Sequence, residues 1–308
     1  MTLYAGNYDF WRESSELLLK QIKEANRKKE DKIKELKEFV ARFQANASKS
    51  RQATSRKKIL EKIELEEIIP SSRKYPFVEF KFEKGNSQKV LDVTNLTVEV
   101  DSKKLLNKIS FSVLRGDKIA FLGSSIQKTL LFEVLTKGVK YKAGEFKWGV
   151  NVKTSYFKGD NTEIFKGDDD IITWISNYIK IDDISLLRSF LGRMLFSGDD
   201  VFKKVNVLSG GEKARCMLSK MMLENPNVLI FDEPTNHLDL ESITSLNTAM
   251  KRFDGEILFT SQDYELNETV ANRIIEICEN GTIIDRRMPY SEYINDEKIK
   301  ELREKNRI

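Results

Sequence analysis

The sequence is poor in the residues from which metal centres and disulfide scaffolds are built. Its 308 residues include one histidine, His237, and two cysteines, Cys216 and Cys278. A single histidine excludes a multi-histidine metal site. The two cysteines lie within apolar helix-like and strand-like patterns, so they read as small buried thiols of a reducing compartment and not as a disulfide. No window approaches 18 uninterrupted apolar residues, which leaves no stretch for a membrane-spanning helix. The opening Met1-Thr2-Leu3-Tyr4-Ala5-Gly6 lacks the basic-then-apolar layout of a signal peptide, so the expected location is the cytoplasm.

What the chain does contain is charge and material for a core. Charged residues make up 32% and hydrophobic ones 40%, enough for one large domain or two ordinary ones. One stretch organises the rest. Val207-Leu208-Ser209-Gly210-Gly211-Glu212 places a turn before a helix-forming run, Glu212 to Glu224, that has no Pro or Gly. Backbone N–H groups at such a helix start, unobstructed at two glycines, make a phosphate site. After a helix-length gap, Val228-Leu229-Ile230-Phe231 leads into Asp232-Glu233. A buried parallel strand delivers acids in this way to the carboxyl edge of a sheet, where nucleotides and metals bind. Either half alone occurs as an ordinary turn or strand end; both together at this spacing do not.

Leu208–Glu212 and Phe231–Asp239 resemble the signature, Walker B and D-loop motifs of ATP-binding cassette proteins. Glu233-Pro234-Thr235-Asn236-His237-Leu238-Asp239 is most similar to the ABC-F family, the cassettes that act on ribosomes. The resemblance implies two cassettes sandwiching two ATP molecules with Mg²⁺. Ser209, Gly210, Gly211, Glu212 and Asp239 would close over a nucleotide held by the partner. Thr129 and Asp232 would hold Mg²⁺, and Glu233 would orient or deprotonate water.

Lys118–Gly123 reads as a buried strand, and Ser124-Ser125-Ile126-Gln127-Lys128-Thr129-Leu130 leads into a helix. A phosphate-binding loop, G-x-x-x-x-G-K-[ST], belongs here, with backbone N–H groups wrapping the phosphates and Lys and Ser/Thr serving phosphate and Mg²⁺. Gly123, Lys128 and Thr129 match, but the loop is one residue short and Gln127 replaces the second glycine. Two further positions depart from the family pattern. Thr154 stands where a Gln reaching metal and water is expected, and Gln262 stands where a γ-phosphate-sensing His is expected. No aromatic residue suited to stacking on adenine is evident around Val98 and Val100.

The first 74 residues are of another kind. Phe10–Phe39 predicts a long helix with a thin apolar stripe, Leu17, Ile22, Ala25, Ile33, Leu36 and Val40, and Glu61–Ile68 predicts part of a second helix. Between them, residues 39–58 contain no acid and the bases Arg42, Lys49, Arg51, Arg56, Lys57 and Lys58, a tip suited to phosphate contact. A charge run also reads as a solvated helical face. The segment resembles the linker between ABC-F cassettes, which reaches toward tRNA on the ribosome, with Tyr4–Phe10 as its start and Ser71–Pro76 as its end. On that resemblance the chain is a linker plus a second cassette, without the first.

The expected fold is α/β: an ATP-binding cassette of the P-loop NTPase class with an antiparallel β-subdomain and a helical subdomain, preceded by a helical hairpin. The expected domains are 1–74 and 75–308. Phe77–Phe82, Val90–Val100 and Leu105–Val113 read as the β-subdomain strands, with Pro70–Arg73 as the boundary before them. Ile171–Phe196 reads as the helical subdomain, with Trp174, Phe190 and Met194 in its core. Asn280-Gly281 reads as a type I′ hairpin turn, and 296–308 as a short charged helix. The expected function is ABC-F-like, coupling ATP binding or hydrolysis to a ribosome or tRNA, with a second cassette as partner and no membrane subunit. The alternatives are a non-hydrolysing module that completes a partner's site, and the ATPase subunit of a transporter.

Overall fold

The computed structural model describes residues 8–43, 50–60, 63, 74–179 and 183–306. The chain divides into two compact units, Met1–Ser72 and Arg73–Ile308.

In the first unit, α1 spans Tyr8–Phe43 and α2 spans Ser50–Leu60. Ile22, Ala25, Ile33, Leu36 and Val40 are half-buried along α1, at the three-to-four spacing of one helical face. Leu17 is 58% exposed and does not belong to that stripe. The helix α2 begins well before the expected Glu61, so the basic stretch is helical from Ser50 on; the expected second helix, Glu61–Ile68, falls largely outside the described residues. Arg56 ties the two helices together, its guanidinium 3.6 Å from the centre of the Phe39 ring.

The second unit is built on two sheets. The antiparallel one has the order β2-β1-β4, with β1 at Lys89–Val100, β2 at Lys103–Leu114 and β4 at Ala143–Trp148. The other has six strands in the order β5-β6-β7-β3-β8-β9: β3 Lys118–Gly123, β5 Thr154–Phe157, β6 Val228–Asp232, β7 Glu256–Thr260, β8 Arg273–Ile277 and β9 Ile283–Arg286. Its first five strands are parallel and β9 is antiparallel. Every residue of β6 and β7 is buried, as a parallel sheet covered on both faces requires. Alternation sorts their side chains between two cores. Leu229, Phe231, Ile257 and Phe259 face one, packed with α4 (Ile171–Ile179), α5 (Ile184–Arg193) and α6 (Gly210–Leu223). Val228, Ile230 and Leu258 face the other, packed with the β-subdomain and α3 (Ser125–Lys137). Trp174 and Met194 are buried and Phe190 packs beside them, all as core residues. Cys216 and Cys278 are free buried thiols.

Two local expectations fail. Phe77–Phe82 forms no strand and pairs with no sheet. Its alternation serves packing instead. Phe80 meets Phe231 and Phe253 edge-on at 5.8 and 6.1 Å, and the Phe77 N–H donates to the Arg193 carbonyl. The β8–β9 turn is not type I′, which needs left-handed φ at both central residues. Only Gly281 is left-handed (φ +81°), and its N–H donates to the Cys278 carbonyl. The charged C-terminal segment forms a helix, Glu297–Lys305, and Arg303 on it clamps Glu276 at 2.8 Å.

Candidate functional site

The parallel register decides which residues meet. Phe157 pairs with Phe231, Asp232 with Thr260, and Gly123 with Ile277, so the carboxyl ends of five strands lie along one edge. Asp232 arrives on that edge as the last residue of β6, and both its oxygens are engaged. Thr129 donates to Oδ2 at 2.6 Å and Thr260 to Oδ1 at 2.9 Å. Thr260 Oγ1 also accepts from the Glu233 N–H at 2.9 Å, so one hydroxyl couples the two acids.

Glu233 sits at φ +48°, in the left-handed region. For a residue with a Cβ such a conformation costs on the order of 1–3 kcal/mol and persists where neighbours over-determine it. Here the neighbours are Thr260, which accepts its N–H, the Gln262 N–H at 3.1 Å from Oε2, and Lys128 Nζ at 2.9 Å from Oε1. Lys128 and Glu233 are buried, with side chains 7% and 8% exposed. Gln262 reaches Glu233 through its backbone N–H, and the residue itself is exposed.

The loop before α3 differs most from expectation. β3 ends at Gly123 and α3 begins at Ser125, so Ser124 alone connects them. The Lys128 N–H already donates to the Ser124 carbonyl as an ordinary helical bond. Gln127 turns inward, its amide donating to the carbonyls of Leu105 and Cys278 at 2.9 and 3.0 Å. Gly123, at φ +118°, presses on the Ile277 backbone so closely that a Cβ would collide with it. A cavity of about 340 Å³ opens beside Gly123, Ser124 and Gln127 toward Cys278, Glu279 and Arg303, and its lining includes no aromatic ring. Ser125 and Leu130 lie on α3 and Ile126 points to solvent, 68% exposed.

These observations test the fit of Mg²⁺ and ATP to this chain's own loop. The metal half fits: a hydroxyl and a carboxylate, Thr129 and Asp232, meet as a hard cation needs. The phosphate half does not. No loop remains to wrap a triphosphate, the Lys128 N–H is spent within the helix, and its ammonium is paired with Glu233.

Thr154 is corrected as well. It begins β5, in register with Val228, at the opposite end of the strand from Asp232. The residue delivered beside the acids is Gly159, where a Cβ would lie 3.0 Å from the Asp232 carbonyl and 3.8 Å from the Glu233 Cβ. Lys158 precedes it, its ammonium 2.9 Å from Glu133, whose hydrogen bond pushes the Lys158 pKa up. Tyr156 stands nearby; burial, with Asp232 and Glu133 close, raises its phenol pKa well above the usual value. Lys158 and Gly159 went unnoticed in the sequence because the strand's end at Phe157 is not marked there.

The signature turn, by contrast, is assembled as read. Ser209 caps α6, its hydroxyl accepting from the Glu212 N–H at 3.3 Å while Glu212 accepts from the Ser209 N–H at 2.9 Å. This reciprocal pair fixes the turn, and Ser209 and Gly210 face solvent. Gly210 and Gly211 sit against His237, within 3.4 Å and 3.1 Å of a built Cβ. Asp239 is the cap of α7 (Leu240–Arg252), accepting from the Ser242 N–H at 2.8 Å.

On the hairpin, Arg42, Arg56, Lys57 and Lys58 are exposed. Lys49 and the side chain of Arg51 lie outside the described residues, as do Tyr4–Asn7 and Ser71–Arg73. Among the described residues no helix is long and apolar enough to cross a membrane.

Comparison with known proteins agrees with this architecture. Residues 106–236 match the family model described as ABC transporter, and a second model of the same description matches residues 1–80. The Bacillus subtilis ABC transporter ATP-binding protein YkpA is 55% identical over 297 residues, covering 96% of this chain and 55% of its own length. The Escherichia coli probable ATP-binding protein YbiT is 40% identical, covering 97% of this chain and 57% of its own length. ABC transporter F family member 5 of Arabidopsis thaliana is 32% identical, with 97% and 44% covered. The chain therefore spans about half the length of the curated relatives it matches. A solved dimer of the ATP-binding cassette MJ0796, bound to ADP and phosphate, superposes with a TM-score of 0.55 at 15% identity, covering 64% of this chain and 98% of that one; at that identity the likeness speaks for the fold. The second unit has the fold of an ATP-binding cassette, and the two matching family models with the relatives place the chain in the ABC transporter ATP-binding cassette family.

Proposed function

We propose that this chain is an ABC-F-like module of translation that completes an ATP site on a second cassette. Ser209, Gly210, Gly211 and Glu212, with Asp239, form the face offered to the partner's nucleotide. The observation that carries this reading is the contrast between two half-sites. The signature turn is capped, ordered and open to solvent, whereas the chain's own loop lacks a phosphate cradle. ATP and Mg²⁺ on the partner supply the phosphoryl group and its charge neutralisation; this chain supplies backbone N–H groups and a helix dipole already in place.

The test is to titrate the 308-residue chain into a cassette with an intact G-x-x-x-x-G-K-[ST] loop and a disabled signature. A rise in the partner's ATP turnover is expected, and a flat titration overturns the reading. The Thr129–Asp232 contact favours a second reading, in which the chain itself holds Mg²⁺-ATP and Glu233 activates water. Turnover by the isolated chain, lost on Glu233→Gln, would support that one instead.

The partner of the first unit is ribosomal RNA or tRNA. Arg42, Arg56, Lys57 and Lys58 present exposed cations on two helices, and a phosphate-binding surface of this kind shows itself in salt dependence. Replacing Arg56, Lys57 and Lys58 together by glutamine should lower the slope of log affinity against log salt by roughly 2, at about 0.7–0.9 per phosphate contact. Ribosome co-sedimentation across a salt series measures it, and an unchanged slope removes these residues from the interface. A transporter subunit would instead bind a membrane partner and show no such slope.

A further inference from the structure

We infer that Lys128 serves this cassette as a structural counter-ion to Glu233, a strut that stands in the place of a nucleotide, and not as a phosphate ligand. The shortened loop is the cause. With one residue fewer, α3 starts at Ser125 and Lys128 falls one turn into the helix, its N–H bonded to Ser124. The side chain then reaches across the strand edge to Glu233 Oε1 at 2.9 Å, and both groups are more than nine-tenths buried. Gln127 fastens the same helical turn at a second point, through the carbonyls of Leu105 on β2 and Cys278 beyond β8.

Glu233 needs this cation more than an ordinary acid would. It stands at φ +48°, and its second oxygen is held by a neutral donor, the Gln262 N–H. If Lys128 served phosphate, its counter-charge would be the triphosphate, and its removal would act chiefly on nucleotide binding. Here the counter-charge is internal. Removing the lysine strands a buried carboxylate, which is among the more destabilising changes available to a core, whereas neutralising both members relieves most of the loss.

The thermal midpoint of the cassette unit, measured on the full chain without nucleotide, tests this directly. Lys128→Met should lower it by roughly 6–12 °C. Glu233→Gln alone should lower it too, and Lys128→Met combined with Glu233→Gln should recover more than half of the larger single loss. Mg²⁺-ATP added to the wild type should leave the midpoint in place. A Lys128→Met midpoint equal to wild type overturns the inference, as do single losses that simply add. A wild-type midpoint raised by Mg²⁺-ATP and no longer raised in Lys128→Met overturns it as well, since that is how a phosphate ligand behaves. None of these readouts involves a partner cassette, so the strut stands or falls separately from the signature half-site.

Discussion

Gly210→Val is expected to reduce the turnover this chain elicits from a signature-disabled partner cassette by about 100-fold, while its own thermal midpoint moves by less than about 2 °C. The size of the effect follows from where Gly210 lies. It is the first residue of α6, immediately after the Ser209 cap, and the turn there is held from below by Glu212. A Cβ at this position comes within 3.4 Å of the His237 ring, so the two methyl groups of valine must press on that ring or project over the turn. Either way they cover the N–H groups that a phosphate would approach. Loss of one preorganised donor to a developing charge reduces turnover about 10²- to 10³-fold. Stability is spared because the residue is exposed and the capping pair does not use its side chain. Steady-state ATPase of the partner at saturating chain gives the number. A valine variant as effective as wild type would place the partner's nucleotide elsewhere.

The two half-sites differed in legibility because they depend on the chain at different ranges. The signature turn is local: Ser209 and Glu212 bond each other across three residues, and a capping box carries that geometry in four letters. The strand β6 was equally plain, since four apolar residues in a row, Val228 to Phe231, leading into two acids describe a buried parallel strand by composition alone. The pocket around Glu233 is assembled from α3, β6, β7 and the segment after β5, over separations of up to 105 residues. Its motif letters were visible; whether Lys128 would face phosphate or Glu233 was not, because that turns on the start of α3. A deleted residue in the loop is legible as a shortened motif, but its consequence, a helix one turn ahead of its lysine, is not.

Register accounts for the misplaced Thr154. A parallel strand presents only its carboxyl end to the site, and nothing in Lys153-Thr154-Ser155-Tyr156-Phe157 marks where the strand stops, which the pairing of Phe157 with Phe231 places. The basic hairpin tip was misjudged for another reason. Ser50–Leu60 has hydroxyls and cations but no Gly or Pro, so its small polar residues suggested a loop while nothing in it forbids the helix that forms.

The sharpest test of the packing concerns the segment whose alternation resembled a strand. Phe80→Ala should destabilise the cassette unit by about 3–4 kcal/mol, and Phe77→Ala by less than about 1 kcal/mol. Both are phenylalanines three residues apart, on opposite sides of a segment whose burial alternates and which has no pairing strand, so what separates them is the contacts of each ring. Packing predicts a gap. Phe80 is 6% exposed, and its ring meets Phe231 and Phe253 edge-on, directly beneath the strand that carries Asp232. Phe77 is 47% exposed and meets the Arg193 guanidinium at 5.2 Å, a contact that solvent weakens. Urea denaturation followed by tryptophan fluorescence separates the two, since Trp174 and Trp148 both belong to this unit. A further consequence reaches the site: Phe231 immediately precedes Asp232, so a cavity at Phe80 loosens the end of β6, and Phe80→Ala should speed amide exchange at Asp232 and Glu233 ahead of global unfolding. Equal losses for the two variants would mean that the segment is anchored by its backbone and not by the Phe80 ring.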